Sequence, residues 1–283
     1  LRVFDPFKSD APKQTVPLPL EGYAGTSRGF MGSPHFDECP YRAALDSYTD
    51  PPMVWLGTAW SRKRRQDGNK GYALSRYRLG ERKLTLLEKW NDAVSKALTT
   101  WAPTRLMRKR LYVDPRNGML YVAEESPKAF SALTRIDPET GRTGVVKLPY
   151  TAEEAVIDVN GLIYLRCAQI IGRHRLDNMR EVPFDYGEER AFRWSSFAEK
   201  GHLRSALVLP GNKPVWWHES GMFVNPKGQL IVSCCNSKGK RKSRMASVDV
   251  HIEGRRYMPE IYPGRRQYSE IHVWDKHGKL VAQ

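Results

Sequence analysis

Short runs of alternating apolar and polar residues recur along the chain, separated by turns rich in Asn, Asp, Pro and Gly. Alternation with a period of two predicts β-strands, and such turns predict hairpins because these residues adopt bent backbone conformations at little cost. The clearest segment is RLYVDPRNGMLYVAEESPKAFSALTRIDPETGRTGVVKLP, residues 110–149. It predicts four strands, with hairpin turns at 114–118 and 137–141. This segment is one four-stranded antiparallel unit.

The same order of strand, turn and strand returns three more times. EEAVIDVNGLIYL begins a unit at Glu153, with a turn at Asn160-Gly161 and a third strand at 170–176. GMFVNPKGQLIVSCC begins another at Gly221, and its outer hairpin arrives late, at 270–281. Residues 236 to about 268 are then an insertion between the second and third strands. A weaker copy has strands at 53–60 and 72–79.

The motifs VDPRNGMLYVAE, VIDVNGLIYL and FVNPKGQLIVS resemble those of the NHL and SMP-30-like superfamily of six-bladed β-propellers. The resemblance covers 53–80 and 107–283. It implies an all-β fold, a β-propeller of four-stranded antiparallel blades, with six blades expected and an incomplete set possible in this chain. That superfamily contains hydrolases, lyases and binding modules, so the resemblance is specific for the fold and does not select an activity.

The chain divides into two parts by its pattern. Residues 1–50 are interrupted by many Pro and Gly, which predicts an irregular N-terminal arm or a partial blade. Residues 51–283 are expected to form the blades. A ring of blades must close, and we expect further parts of the parent polypeptide to close it, the arm being the alternative. Within 91–101, apolar residues at helical spacing favour a short helix over an extended connector.

Charge narrows the range of partners. The formal net charge is +15, which favours acidic partners: an acidic protein, an anionic polysaccharide, nucleic acid or an anionic membrane surface. No apolar run is long enough for a membrane span. Nucleic acid is the weaker expectation, because no helix-turn-helix, zinc-finger, RNP or KH motif is present. The first residue, Leu1, suggests processing and, with the habits of the superfamily, an extracytoplasmic (periplasmic or secreted) location.

Two basic runs are the candidate partner-binding residues. The resemblance implies that connections between second and third blade strands lie on one face, so that both runs would share one rim. Arg there would recognise carboxylate, sulfate or phosphate; the alternative is two solvated loops. The candidates are Arg62, Lys63, Arg64, Arg65 and Lys70 in one connection, and Lys238, Lys240, Arg241, Lys242, Arg244, Arg255, Arg256, Arg265 and Arg266 in the other.

A catalytic reading uses the central channel of the propeller. The resemblance implies that polar residues just before the innermost strands face this channel, and these are Glu153, Glu154, His218 and Glu219. Such a group could bind Ca²⁺ or Zn²⁺ or transfer protons. Five other histidines lack metal-ligand spacing and are expected to be structural or exposed: His35, His174, His202, His251 and His272.

Other chemical signals are weak. No CxxC, GxSxG, Walker A or GxGxxG motif occurs. Cys234 and Cys235 are expected to be reduced core thiols, a strained vicinal disulfide being the alternative. Trp216 and Trp217 could stack on sugar rings or belong to the core.

The sequence therefore favours a binding or scaffold module without an assigned cofactor. It would belong to a larger protein or complex and present a basic rim to an acidic partner. A metal-dependent hydrolase or lyase is the first alternative, and a nucleic-acid or polyanion binder the second.

Overall fold

The structure is a computed structural model. The residues that it describes are 2–4, 12–15, 39–46, 50–59, 72–80, 84–87, 93, 109–124, 129–167, 169–193, 200–209, 222–225, 227–238, 250–252, 255–257 and 266–282. Regular structure within these ranges is nearly all β, and Ala93 is helical. In the part of the chain that is described, no helix is long and apolar enough to cross a membrane.

The chain forms two compact units. The first comprises residues 1–151 and 159–161. It contains a two-stranded hairpin, β1-β2, and two four-stranded antiparallel sheets, ordered β3-β4-β5-β6 and β10-β9-β8-β7. The strands are β1 (Arg2–Phe4), β2 (Pro12–Thr15), β3 (Cys39–Asp46), β4 (Met53–Ala59), β5 (Tyr72–Leu79), β6 (Leu84–Leu86), β7 (Lys109–Val113), β8 (Leu120–Glu124), β9 (Phe130–Ile136) and β10 (Thr143–Ala152).

The two sheets of the first unit follow their sequence patterns. Turns at 114–118 and 137–141 carry glycines with positive φ, Gly118 at 70° and Gly141 at 71°. Such φ values favour Gly, which explains why these turns can be found in the sequence. The predicted strands of 110–149 are confirmed, as are those at 53–60 and 72–79. Residues 39–46, within the segment for which an arm or a partial blade is expected, form β3.

The core of the first unit lies between its two sheets. Trp55 of the β3-β6 sheet packs against Leu120, Val122 and Ile136 of the β7-β10 sheet, and all four side chains are buried. At about 25 cal/mol per Å², such contacts supply the main stabilisation of the pair. The partly buried residues around them are Ala44, Leu111 and Val113.

The second unit comprises residues 152–158 and 162–283. Its sheets are ordered β11-β12-β13-β15-β14 and β16-β17-β20-β21, with a separate hairpin, β18-β19. The strands are β11 (Glu154–Ile157), β12 (Leu162–Cys167), β13 (Ile170–Arg175), β14 (Glu188–Arg193), β15 (Lys200–Val208), β16 (Met222–Val224), β17 (Leu230–Lys238), β18 (Val250–Ile252), β19 (Arg255–Tyr257), β20 (Arg266–Trp274) and β21 (Leu280–Ala282).

The five-stranded sheet departs from the simple repeat. β13 pairs with β15 only at its start, at Ile170 and Ile171. The outermost strand, β14, precedes β15 in the chain and pairs with it as a hairpin. Phe192 lies opposite Gly201, and a Cβ at Gly201 would come within 2.1 Å of the Phe192 ring. The ring therefore covers the glycine backbone, which stabilises an otherwise exposed hairpin.

The last four-stranded sheet contains a long connection between its second and third strands. β17 pairs directly with β20 in continuous register, from Leu230 opposite Trp274 to Lys238 opposite Arg266. The chain between these strands includes β18 and β19, which pair with each other. The late outer hairpin predicted at 270–281 is confirmed, because β20 and β21 complete this sheet.

The core of the second unit lies between its two larger sheets. Its buried members are Tyr164, Ile171, Phe184, Leu207, Leu209, Leu230, Val232 and Trp274. Within each unit the first strands of the two sheets also lie side by side, β3 beside β7 and β11 beside β16. The two units therefore repeat one arrangement, in which a sheet packs face to face on the next.

Candidate functional site

The predicted channel residues begin with two glutamates at the start of β11. Glu153 Oε2 lies 3.0 Å from Nη1 of Arg166, whose side chain is buried. The Glu153 amide also donates to the Arg166 carbonyl over 2.7 Å. The next residue, Glu154, lies opposite Arg166 in the β11-β12 register. Glu153 is thus paired with a buried guanidinium, whereas the Glu154 carboxylate accepts a hydrogen bond from the Ala155 amide over 3.2 Å.

The other two channel candidates, His218 and Glu219, lie outside the described residues, as do Trp216 and Trp217. Across the described ranges, no three His, Cys, Asp or Glu side chains form a group that could hold a metal ion. The structure therefore places two members of the predicted channel site together and does not describe the others.

Three of the histidines without metal-ligand spacing occupy buried or exposed positions in the structure. His174 and His272 are buried, and the His272 ring lies 5.6 Å from that of Trp274. His202 Nε2 lies 3.0 Å from Glu189 Oε1 on the exposed β14-β15 hairpin. His251 is opposite Arg256 in β18-β19, and His35 is outside the described residues.

His174 stands where the corresponding strands of other sheets carry apolar residues. It lies opposite Ile163 in the β12-β13 pair, as Ile136 lies opposite Leu120 and Trp274 opposite Leu230. Burial lowers the pKa of His174, although the Met179 carbonyl, 3.2 Å from Nδ1, and nearby Glu181 oppose this shift. The neutral imidazole is therefore the form that the core accommodates.

Of the two basic runs, only part lies in the described residues. Arg62, Lys63, Arg64, Arg65 and Lys70 are outside them, in the connection from β4 to β5. Lys240, Arg241, Lys242, Arg244 and Arg265 are also outside them, in the connection from β17 to β20. The backbone is described at Lys238, Arg255, Arg256 and Arg266.

These four described residues lie at strand positions of one connection. Lys238 is directly opposite Arg266 at the end of the β17-β20 ladder, and Arg256 is opposite His251. Like charges at directly opposed strand positions are destabilising, and a bound anion removes that cost.

The β14-β15 hairpin provides a contrast. Arg193 lies opposite Lys200, and both are exposed. The same hairpin, however, carries an ion pair between Glu188 and Arg190 and the contact of Glu189 with His202. Its positive charge is therefore compensated locally, whereas residues 236–268 carry many more Lys and Arg than Asp and Glu.

One repeated feature is a cross-strand row that the sequence reading did not detect. An aromatic residue on the second strand faces an arginine on the third, in three sheets. These pairs are Trp55 with Arg76, Tyr121 with Arg135, and Tyr164 with Arg173. The Arg76 guanidinium lies 5.4 Å from the Trp55 ring centroid. The row becomes visible when the third strands of the sheets are aligned by their pairing with the second strands, rather than by the turns that precede them.

A second repeated feature is a polar residue that ends each first strand. Asp114 accepts two hydrogen bonds from the Arg116 side chain, and Asp158 accepts one from the Leu162 amide over 2.8 Å. Asn225 binds the Gln229 amide over 3.0 Å, and Asp46 pairs with Arg76 over 2.5 Å. These groups satisfy turn amides or a buried arginine, so their role is structural.

Comparison with known proteins leaves the family open. No protein-family model matches the chain, and no curated protein matches it. One solved structure to which it is similar is that of a calcium-binding protein, regucalcin, from Agrobacterium tumefaciens. The sequence identity is 15 %, the TM-score is 0.34, and the match covers 69 % of this chain and 53 % of that one. The chain thus matches about half the length of regucalcin, and the resemblance is one of fold alone.

Proposed function

We propose that this chain is a binding or scaffold module of β-propeller type, which presents the basic connections between second and third strands of its sheets to an acidic partner. An acidic protein or an anionic polysaccharide has the required chemistry. In this proposal the four larger sheets are blades of a six-bladed ring within a larger protein or complex. The adjoining first strands of successive sheets in each unit support this, because the first strands of propeller blades surround a common axis.

The observation that carries the functional proposal is Lys238 opposite Arg266 at the end of the β17-β20 ladder. A strand pair that ends in two facing cations is stabilised when an anion binds there. Arg255 and Arg256 belong to the same connection, in β19. The net charge of +15 would also accelerate encounter with an acidic partner.

The basic connection of the first unit supports the proposal through topology. The run from Arg62 to Arg65 follows β4, the second strand of its sheet, just as the other run follows β17. The same place in the strand order therefore carries positive charge in two sheets. A repeat architecture commonly places such equivalent connections on its binding face.

Titration with defined polyanions tests this proposal. The probes are a heparin oligosaccharide, poly-glutamate and double-stranded DNA, with neutral dextran as control, each titrated at increasing sodium chloride. We expect binding of heparin or poly-glutamate that weakens steeply with salt, since screening removes charge attraction. The proposal is wrong if neither probe binds better than dextran at low salt. Stronger binding of DNA than of both would favour the nucleic-acid alternative.

A further inference from the structure

Two asparagines in the described turns stand directly before a glycine, Asn117 before Gly118 and Asn160 before Gly161. Both asparagines are exposed to solvent, and the two glycines have positive φ, at 70° and 74°. An Asn-Gly pair can react with itself, because the glycine amide nitrogen can attack the asparagine side-chain carbon and no Cβ shields that nitrogen. Each turn is therefore a candidate modification site, and the hydrogen bonds around each pair decide which one reacts.

The reaction of such a pair needs only water. The glycine nitrogen forms a bond to Cγ of the asparagine, the bond from Cγ to Nδ2 breaks, and the amide proton leaves with the side-chain nitrogen as ammonia. Water then opens the cyclic imide. Breaking the bond from the ring nitrogen to Cγ gives aspartate, and breaking the bond to the main-chain carbonyl carbon gives isoaspartate, in which the main chain runs through Cγ. Nothing is oxidised or reduced in either step.

The turn at Asn117 restrains both reacting groups. Gly118 N donates a hydrogen bond to the Asp114 carbonyl over 2.8 Å, whereas the attack requires this amide to lose its proton. A hydrogen bond made by the protonated form disfavours that loss. The Asn117 side chain is held as well, because its Oδ1 accepts a hydrogen bond from the Met119 amide over 3.0 Å. The attacking nitrogen and the side chain that it must reach are therefore both fixed here.

The turn at Asn160 lacks these two restraints. Among the described residues, none accepts a hydrogen bond from Gly161 N. The amide two positions after Asn160, Leu162 N, donates to Asp158 Oδ1 over 2.8 Å, so it does not hold the Asn160 side chain. The glycine amides of four other hairpin turns, by contrast, each donate to a main-chain carbonyl, over 2.8, 2.8, 2.9 and 3.0 Å. These glycines are Gly118, Gly141, Gly228 and Gly278.

The turn requires its glycine but not its asparagine. A Cβ on Gly161 would overlap the Arg116 guanidinium, and a φ of 74° also favours Gly. The residue before the glycine, by contrast, is Thr140 in one other turn and Lys227 in another. The turn should therefore tolerate replacement of Asn160, and it is this asparagine that makes the pair reactive.

We infer that Asn160 is a site of spontaneous deamidation in the folded chain, and that it converts to aspartate and isoaspartate while Asn117 stays intact for longer. Isoaspartate adds one carbon atom to the main chain between Asp158 and Leu162. These two residues close the hairpin through hydrogen bonds of 2.9 Å, from Asp158 N to the Leu162 carbonyl, and 2.8 Å, from Leu162 N to Asp158 Oδ1. The conversion therefore adds a negative charge and loosens the turn between β11 and β12.

Peptide mapping by liquid chromatography and mass spectrometry tests the inference. The purified chain is kept in neutral buffer, folded in one sample and unfolded by urea in another, and deamidation is followed at Asn117 and Asn160. In the folded sample we expect Asn160 to react faster by roughly fivefold or more, because one neutral hydrogen bond changes a rate by about this factor. In urea the two rates should be similar. Equal rates in the folded sample, or the same rate ratio in both samples, overturn the inference.

Asn160→Lys is the matched control, because Lys227 occupies the same place before Gly228. This variant should give no product at position 160 and should leave the rate at Asn117 unchanged. Asn160→Asp carries the added charge without the added main-chain carbon, so it isolates the effect of isoaspartate. We expect the isoaspartate-containing fraction, separated by ion exchange, to have a lower unfolding free energy in urea than Asn160→Asp. Equal values would overturn the loosening of the turn.

Discussion

At the residue scale, several buried charges among the described residues are matched to partners. Asp46 and Arg76 are both buried and pair over 2.5 Å, and the Arg76 guanidinium also faces the Trp55 ring. Removing one member of such a pair leaves a buried charge without compensation, which is strongly destabilising. Asp46 ends β3, and Asp114 directly follows β7. These two aspartates are at equivalent positions of two sheets, and each pairs with a different arginine, Arg76 or Arg116.

His174 makes a pH-dependent contribution to stability. Because burial lowers its pKa below the ordinary value of 6.5, the unfolded chain takes up a proton that the folded chain resists. Its stability contribution is therefore complete above pH 6.5 and is lost as the pH falls below that value. We expect His174→Leu to reduce the loss of unfolding free energy between neutral and mildly acidic pH, as measured by urea denaturation.

The matched control is His202→Gln, since His202 is exposed. This variant should change the pH dependence less than His174→Leu does, because the exposed pair of His202 with Glu189 is screened by solvent. If His174→Leu and His202→Gln give the same pH dependence as each other, the assignment to His174 is wrong.

Below the ordinary aspartate pKa, a further loss of unfolding free energy is expected from Asp137. Burial would raise the pKa of Asp137, but hydrogen bonds from Thr140 and Glu139 lower it overall.

At the element scale, the side chain of Arg173 connects the two larger sheets of the second unit. The Arg173 guanidinium donates to the carbonyls of Val182, Pro183 and Lys276 over 3.2, 2.5 and 2.8 Å. It also lies 4.1 Å from the Phe184 ring centroid. Lys276 belongs to the β20-β21 turn, so one side chain connects the five-stranded sheet to its neighbour.

We expect Arg173→Lys to destabilise the chain by about 1–3 kcal/mol, because an ammonium group cannot bind three separated carbonyls and leaves buried acceptors unsatisfied. Urea denaturation measures the change. Arg175→Lys is the matched control, since Arg175 is exposed on the same strand. Equal unfolding free energies of the two variants would show that the hydrogen bonds of Arg173 do not stabilise the chain.

The sequence predicts the elements well where turn chemistry is local. Asn160-Gly161 and the Asp137 to Gly141 turn mark hairpins because their backbone geometry depends on a few adjacent residues, and the strands around them are confirmed. The inverted order of β14 and β15 was not predicted, because their pairing with β13 depends on contacts between distant residues. The row of aromatics and arginines was missed for the same reason.

At the scale of the whole molecule, the candidate site is harder to predict than the fold. The runs at 62–65 and 240–244 stand out as charge, but charge alone does not identify a partner. The ladder register adds that Lys238 faces Arg266. The two Asn-Gly pairs look alike in the sequence, and only the hydrogen bonds around them distinguish Asn160 from Asn117.

The measurement that tests the central claim most directly compares two charge reversals of equal size. K238E/R266E changes the facing pair of the β17-β20 ladder, and R193E/K200E changes the facing pair of the β14-β15 hairpin. The dissociation constant for a fluorescent heparin oligosaccharide or poly-glutamate is measured for each at one salt concentration. We predict a large loss of affinity for K238E/R266E and a small one for R193E/K200E. Equal losses would show that net charge alone governs binding, and would contradict a binding site at the basic connection.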